Sequence, residues 1–354
     1  MLRMKNILFF TPSLNAGGIE RVFLTYAEEL HKKGYRVSYL IVRDEQVLCA
    51  DNNLSVISLK KTRLRNAIPS LINYLRNNQI DVIITGGEIP NAIIVLIVKI
   101  FSLKIKTIIS HHNYFVGEHN SILSKLITRY CYNLSDTVVS VSFGITQLLQ
   151  KYKVKARLIK TIYNPVNIAE INIKGNVNVD VSIPKNYLIF VGRLAQIKNL
   201  ELLLNAFSIL NKTYPDLSLL IVGDGDMKKL LENHTNELHI TDKVHFLGAI
   251  PMPYSLIRLS KAVVLSSYSE ALPTIVLESL VLGKTVVSTP TNGAVELLEN
   301  GKYGYLTSSF DDANAFASLI EKALTFPKDP LLLKKKAMEF NVENKVNDLE
   351  KLFS

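Results

Sequence analysis

The chain has 354 residues, of which 48% are hydrophobic and 20% charged; this is a globular composition with apolar material for two cores, and the length favours two domains over one. Two cysteines, Cys49 and Cys131, exclude a disulfide framework and show no metal-ligand spacing, the start MLRMKNILFFTP lacks a signal-peptide pattern, and the most apolar run, Ile93 to Val98, is far too short to span a membrane, so a cytoplasmic protein is expected. The net charge of +10 lies wholly in the first half, where residues 1–163 hold 22 Lys and Arg against 10 Asp and Glu, while the remainder holds 19 against 21; such a half suits an anionic membrane surface or a pyrophosphate-bearing substrate, and nucleic acid ranks last because no helix-turn-helix, zinc-finger or aromatic RNA-binding pattern accompanies it.

In chain order, Lys5 to Thr11 reads as a strand entering the turn PSLNAGG, and Ile19, Val22, Phe23, Tyr26, Ala27 and Leu30 recur at helical spacing. Gly17 and Gly18 therefore stand at a helix amino terminus, where a backbone without side chains lets a phosphate or sugar approach; a flexible turn accounts for them equally. Strand-like runs follow at Arg36 to Val42, Leu54 to Leu59, Asp81 to Thr85 and Lys106 to Ser110, with helical patterns at Ala67 to Asn77 and Asn91 to Phe101. This alternation predicts a parallel sheet wrapped by helices. Lys60, Lys61, Arg63 and Arg65 cluster before the second helix, either as a docking patch or as an ordinary solvated face. His111 and His112 lie just past a strand end, where adjacent residues point to opposite faces, so at most one can serve a ligand. Asp136 to Ser142 and Gly144 to Tyr152 make a further strand and helix, and Ala156 to Tyr163 leads into Asn164-Pro165-Val166. The polar, asparagine-rich stretch NIAEINIKGNVNVDVSIPKN then reads as the interdomain linker and the entry to the second domain.

The second half opens with a strand at Tyr187 to Val191, then Gly192-Arg193-Leu194, then Lys198 at the start of a helix carrying Leu200, Leu203, Leu204 and Phe207 on one face. An Arg and a Lys five residues apart at a helix amino terminus suit two adjacent phosphates, and are as readily two solvated cations near a turn. Ser218 to Val222 runs into Gly223-Asp224-Gly225-Asp226, whose aspartates read as turn and cap residues before a helix from Met227. Lys228 stands where a dinucleotide fingerprint requires its third glycine, so that motif fails. Val244 to Leu247 is another strand. Ala262 to Leu265 reads as a buried strand, Pro273 to Leu282 as a helix and Thr285 to Ser288 as the next parallel strand, so Glu270 and Glu278 bracket one strand-to-helix junction. Carboxylates at such a junction can accept hydrogen bonds from sugar or ribose hydroxyls; by spacing alone they are equally a loop acid and a helix-surface acid. Phe316 to Leu324 and the segment from Leu331 to Phe353 read as helices.

Ser269, Glu270, Leu272, Pro273, Glu278, Gly283, Gly293, Glu296 and Gly304 resemble the E-x7-E region of retaining family-4 glycosyltransferases of the GT-B fold. GGIERV resembles that family's amino-terminal glycine loop, VGRLAQIKNLELLLNAF its donor-diphosphate motif, and Asn164-Pro165-Val166 its hinge, so the likeness spans essentially the whole chain. It implies an α/β protein of GT-B architecture: two Rossmann-like domains, with parallel sheets facing across a cleft. Residues 1–165 would be the acceptor-binding domain, 166–330 the nucleotide-sugar donor domain, and 331–354 a C-terminal helix crossing back to the first.

The resemblance further implies that Gly17, Gly18 and Gly192 approach the donor, Arg193 and Lys198 bind its pyrophosphate, Glu270 holds hydroxyls of the transferred sugar and Glu278 those of the ribose. Backbone groups after Val244 to Leu247 would border the base. His112, followed by the small polar Asn113, matches a family histidine that contacts the sugar, with His111 in reserve. Glu20 and Arg21 carry no assigned role. The implied reaction is retaining transfer of a hexosyl or N-acetylhexosaminyl unit, a UDP-sugar being the favoured donor, to a glycan or lipid-linked acceptor in surface polysaccharide, lipopolysaccharide or other glycoconjugate synthesis. No metal or other cofactor would be required. Basic residues of the first domain would face the inner side of the cytoplasmic membrane, with Lys60, Lys61, Arg63 and Arg65 as the first candidate patch. Ala271 departs from the family's usual glycine and puts the identity of the sugar in doubt. Rival readings are a GT-B nucleotide-sugar epimerase or hydrolase and a non-catalytic sugar-nucleotide-binding subunit.

Overall fold

A computed structural model describes residues 4–14, 17–44, 54–114, 122–155, 157, 159–177 and 183–354; Cys49, Ala156 and part of the turn PSLNAGG lie outside them. The chain forms two compact units, residues 1–165 with 341–354, and residues 166–340.

The first unit runs β1 (Asn6–Thr11), α1 (Gly18–Lys32), β2 (Arg36–Ile41), β3 (Ser55–Ser58), α2 (Leu64–Asn77), β4 (Val82–Gly86), α3 (Glu88–Ile100), β5 (Lys106–His111), α4 (Ile122–Leu134), β6 (Thr137–Ser140), α5 (Phe143–Lys151) and β7 (Ile159–Thr161). All pairings are parallel, in the order β3-β2-β1-β4-β5-β6-β7. Both faces of this sheet are covered, which is why the four central residues of β1, Ile7 to Phe10, are all apolar: Ile7 and Phe9 join Phe23 and Tyr39 in one core, Leu8 and Phe10 join Leu71 and Ile94 in the other. Each such fully buried side chain contributes roughly 1.5–3 kcal/mol through removal from water.

The second unit runs α6 (Ile168–Gly175), β8 (Tyr187–Val191), α7 (Leu200–Thr213), β9 (Ser218–Val222), α8 (Lys228–Glu237), β10 (Val244–Gly248), α9 (Tyr254–Leu259), β11 (Ala262–Leu265), α10 (Thr274–Val281), β12 (Val286–Ser288), α11 (Asn292–Leu297), β13 (Tyr305–Leu306), α12 (Ala313–Thr325) and α13 (Pro330–Ala337). Its sheet is parallel in the order β10-β9-β8-β11-β12-β13. Phe190, Phe207, Ile221, Val264 and Phe316 centre its largest core. In each sheet the chain winds outward to one side and then to the other. Reversal falls between β1 and β4 in the first unit and between β8 and β11 in the second, the points where doubly wound sheets open a crevice beyond their strand ends.

Three readings are corrected. The asparagine-rich stretch expected to be the linker and the entry to the second domain lies within the second unit and, where a linker was expected, begins with a helix, α6; Asn167 accepts a bond from the Glu170 amide at 3.0 Å, so the Asn-x-x-Glu pattern caps it. The end of the chain is two helices: α13 belongs to the second unit, and only α14 (Val342–Glu350) joins the first, burying Val346 and Leu349 in the core beneath α1. Helix α8 starts after Met227 with no side-chain cap, so Asp226 does not cap it; the Asp224 carboxylate accepts from the Gly225 amide at 2.8 Å instead.

Among the described residues, no helix is long and apolar enough to cross a membrane. Ile93 to Val98 lies in α3, a 13-residue helix with Ile94, Val95, Ile97 and Val98 buried.

Candidate functional site

The loops that leave β8 and β11, the two strands flanking the second reversal point, are tied together by side chain and backbone. Lys198 ends a short 3-10 turn, Gln196–Lys198, and Asn199 takes a left-handed conformation (φ 48°) before α7 begins. Lys198 is therefore in a separate turn ahead of the helix, and its expected place at the start of α7 is corrected. Asparagine tolerates that backbone better than most residues, and its side-chain amide donates to the Phe310 carbonyl at 2.8 Å.

From the β11 side, the Tyr268 amide donates to the Ile197 carbonyl at 2.9 Å and Ser266 Oγ to the Lys198 carbonyl at 2.8 Å. Lys198 Nζ then donates to Glu270 Oε1 at 2.5 Å, and Ser267 Oγ donates to the same oxygen at 2.8 Å. The side chains are 23% and 15% exposed, so this pair is partly screened from water and keeps more of its attraction than a surface pair. Glycine serves the arrangement at two levels. A Cβ on Gly223 (φ 147°) would fall 1.8 Å from the Gly192 carbonyl oxygen, which allows the loop after β9 to lie against the Arg193 loop. A Cβ on Gly293 would meet the Ala271 backbone at 2.7 Å, and the Gly293 amide donates to the Glu270 carbonyl at 3.0 Å. Gly192 is half-buried, Arg193 is exposed, and Glu278 is buried (6% exposed) within α10. Arg193, Lys198 and Glu270 thus gather at the carboxyl edge of one sheet, two cations and a carboxylate whose second oxygen can take a hydroxyl hydrogen. Ser266, Ser267, Asn199 and Gly293 hold them there. The serines sit immediately before Glu270 in SSYSE, a signal visible in the sequence once the loop is known to fold back.

In the first unit, Gly17 caps α1 and Gly18 begins it. A Cβ on Gly17 would meet Glu20 Oε2 at 2.3 Å, whereas one on Gly18 would meet nothing within 4 Å among the described residues, whose packing does not require glycine at 18. Glu20 folds back over this turn, and burial raises its carboxyl above the ordinary range. His111, 1% exposed, is held by the Tyr132 hydroxyl at 2.9 Å, and Asn91 donates to that hydroxyl at 3.0 Å. His112 turns to the other side, with Nε2 2.8 Å from Ser110 Oγ and its ring edge-on to Phe23 at 5.8 Å. Burial pushes both imidazoles down, His111 to about 4 and His112 to about 3, so both are neutral near pH 7. Lys60, Lys61, Arg63 and Arg65 are all exposed at the amino end of α2.

Residues 16–170 match the family model Glycosyltransferase Family 4, and residues 179–340 match Glycosyl transferases group 1. The chain belongs to the family-4 glycosyltransferases of the GT-B fold. Its relatives include two Campylobacter jejuni enzymes. One is GalNAc-alpha-(1->4)-GalNAc-alpha-(1->3)-diNAcBac-PP-undecaprenol alpha-1,4-N-acetyl-D-galactosaminyltransferase, 29% identical over 91% of this chain and 89% of that protein. The other is N-acetylgalactosamine-N,N'-diacetylbacillosaminyl-diphospho-undecaprenol 4-alpha-N-acetylgalactosaminyltransferase, 27% identical over 89% of each. Among solved structures, Anabaena HepE in complex with UDP and glucose superposes with a TM-score of 0.84 at 19% identity, covering 99% of both chains. That likeness shows the fold, two sheets of parallel strands flanked by helices in the GT-B manner. This chain is accordingly a transferase of glycoconjugate synthesis.

Proposed function

We propose that this glycosyltransferase moves a hexosyl or N-acetylhexosaminyl unit, with retention, from a nucleotide-diphosphate sugar to a glycan or lipid-linked acceptor in surface-polysaccharide, lipopolysaccharide or related synthesis. The observation that carries the reading is the Lys198 to Glu270 pair at the reversal point of the second sheet, with Arg193 on the same loop. Lys198 and Arg193 neutralise the diphosphate as its negative charge grows on departure, which favours the transition state over the bound substrate. Because two cations of one loop do this, turnover proceeds without an added metal ion. Glu270, oriented by Lys198 and Ser267, accepts hydroxyl hydrogens of the transferred sugar, and Glu278 holds the ribose. In the first unit the bare Gly18 gives donor and acceptor a backbone to approach. His112, neutral, contributes a hydrogen bond and no charge.

A UDP-sugar is the favoured donor, since the HepE structures hold UDP, UDP and glucose, or UDP-glucose. A diphospho-undecaprenol-linked acceptor is favoured by the names of the two Campylobacter relatives. Peripheral attachment to an anionic membrane follows from Lys60, Lys61, Arg63 and Arg65, four exposed cations at a helix amino terminus, where the helix dipole gives them no stabilisation. The test is a product assay with UDP-glucose, UDP-galactose and their N-acetylated counterparts on undecaprenyl-diphosphate-linked sugars, with the new anomeric linkage read by NMR. A product of inverted configuration, or release of free sugar with every acceptor, would overturn the reading.

A further inference from the structure

At the opposite edge of the second unit's sheet, beneath the amino ends of β11 and β12, lies a cavity of about 330 Å³ lined by Asn172, Asn176, Arg258, Leu282, Gly283, Lys284, Pro330 and Lys334. That volume is at the lower end of those that take small ligands. No carboxylate lines it among the described residues. Two of its cations have local carbonyl partners: Arg258 Nε donates to Gly175 at 2.6 Å and Lys284 Nζ to Ser260 at 2.9 Å. Those contacts satisfy the carboxyl ends of α6 and α9, and alone they would make the cations structural. Lys334 has no such duty. It stands exposed on α13 and has no acidic partner among the described residues, and the same is true of Lys261, which precedes β11. The charge is mutually repulsive: Lys284 is pushed below the ordinary lysine range by burial first and by Lys261 and Arg258 next. An anion between these groups would relieve that repulsion, and the carboxamides of Asn172 and Asn176 add neutral donors at the rim.

We propose that this cavity is a second anion site, for a phosphate or diphosphate group, separate from the sugar-nucleotide site. Arg193, Lys198 and Glu270 follow the carboxyl ends of β8 and β11, whereas Lys261 and Lys284 precede the amino ends of β11 and β12. An anion here leaves the donor loops free. The cavity wall nevertheless includes Leu282, whose amide donates to the Glu278 carbonyl at 3.1 Å, so its occupant sits one helical turn from the ribose carboxylate. The occupant is a soluble phosphorylated metabolite or the headgroup of an anionic lipid, which share this chemistry.

The experiment is calorimetric titration of the full chain with inorganic pyrophosphate at low salt, in an Arg193→Ala/Lys198→Ala background that disables the donor loop. One site should remain, and adding Lys334→Glu should weaken it by at least about tenfold, or 1.4 kcal/mol. Adding Lys229→Glu, an exposed change of equal charge on α8, should leave it unaltered. No binding in the background variant overturns the proposal, as does equal weakening by both reversals. Vesicles of phosphatidylglycerol in phosphatidylcholine separate the sources. Flotation reduced by Lys334→Glu and competed by pyrophosphate marks a lipid headgroup, and flotation indifferent to both marks a soluble anion. Because the donor loop is disabled throughout, failure here is independent of whether the proposed transfer is correct.

Discussion

Lys198 Nζ lies 2.5 Å from Glu270 Oε1, across 72 residues of sequence, because β8 and β11 are neighbours at the point where the sheet reverses its winding. The carboxylate is also held by Ser267 at 2.8 Å, so its position is set before any ligand arrives. Preorganisation of this kind removes an entropic cost from donor binding.

Lys198→Ala and Glu270→Gln should each lower transfer by roughly 10²- to 10³-fold, the scale found when a preorganised electrostatic contact is removed. Thermal unfolding and circular dichroism should show both variants folded. Wild-type turnover in either folded variant would remove the pair from the mechanism.

Gly223→Ala should destabilise the second unit by about 1–3 kcal/mol, since the new methyl would collide with the Gly192 carbonyl oxygen and the loops must part. Nucleotide binding should weaken with it, through displacement of the Arg193 loop. Gly18→Ala is the contrast: it meets no atom within 4 Å among the described residues, so stability should be unchanged while turnover falls. Denaturant melts and nucleotide titrations of both variants distinguish a packing glycine from one left bare for a ligand.

His111, buried, and His112, half-buried against Phe23, make the first unit acid-sensitive. Their folded values, about 4 for His111 and about 3 for His112, lie below the ordinary 6.5. Below pH 6.5 the unfolded chain takes protons that the folded imidazoles refuse. The stabilisation is complete above 6.5 and is lost as pH falls toward 4, by up to about 3 kcal/mol for His111 alone. His111→Gln should make the melting temperature fall less steeply over that interval; an unchanged slope would show that other groups dominate it.

Chelation should leave turnover intact. If Arg193 and Lys198 take the diphosphate as proposed, EDTA-treated enzyme should match enzyme assayed with magnesium to within about twofold, a difference well below 1 kcal/mol. Loss of activity restored by a divalent cation would assign the charge neutralisation to a metal.

Strands β1, β4 and β8 were legible because parallel strands covered on both faces read as apolar runs, β2 and β5 from their shorter apolar stretches Tyr39 to Ile41 and Ile108 to Ile109, and α1 because Val22, Phe23, Tyr26, Ala27 and Leu30 bury one stripe. Helix α6 escaped because only Ile171 and Gly175 are buried along it, leaving too little periodic signal, although its Asn167 cap was there to be read. The single C-terminal helix of the sequence reading is in fact interrupted around Met338–Phe340, and a division between two folded units leaves no mark in local periodicity.

Composition and periodicity alone pointed to a two-unit α/β chain with its excess charge in the first half, because burial on both faces of a sheet constrains residue type locally; the glycosyltransferase type was legible only through the resemblance of its motifs to a known family. Only the tertiary structure decided which partners meet: that Lys198 leaves the helix to reach Glu270, that His111 meets Tyr132 while His112 meets Phe23, and that Arg258, Lys284 and Lys334 share a cavity lined by no described acid. Those contacts join residues tens of positions apart through strand order, and strand order follows from the packing of whole sheets, which no short stretch of sequence encodes.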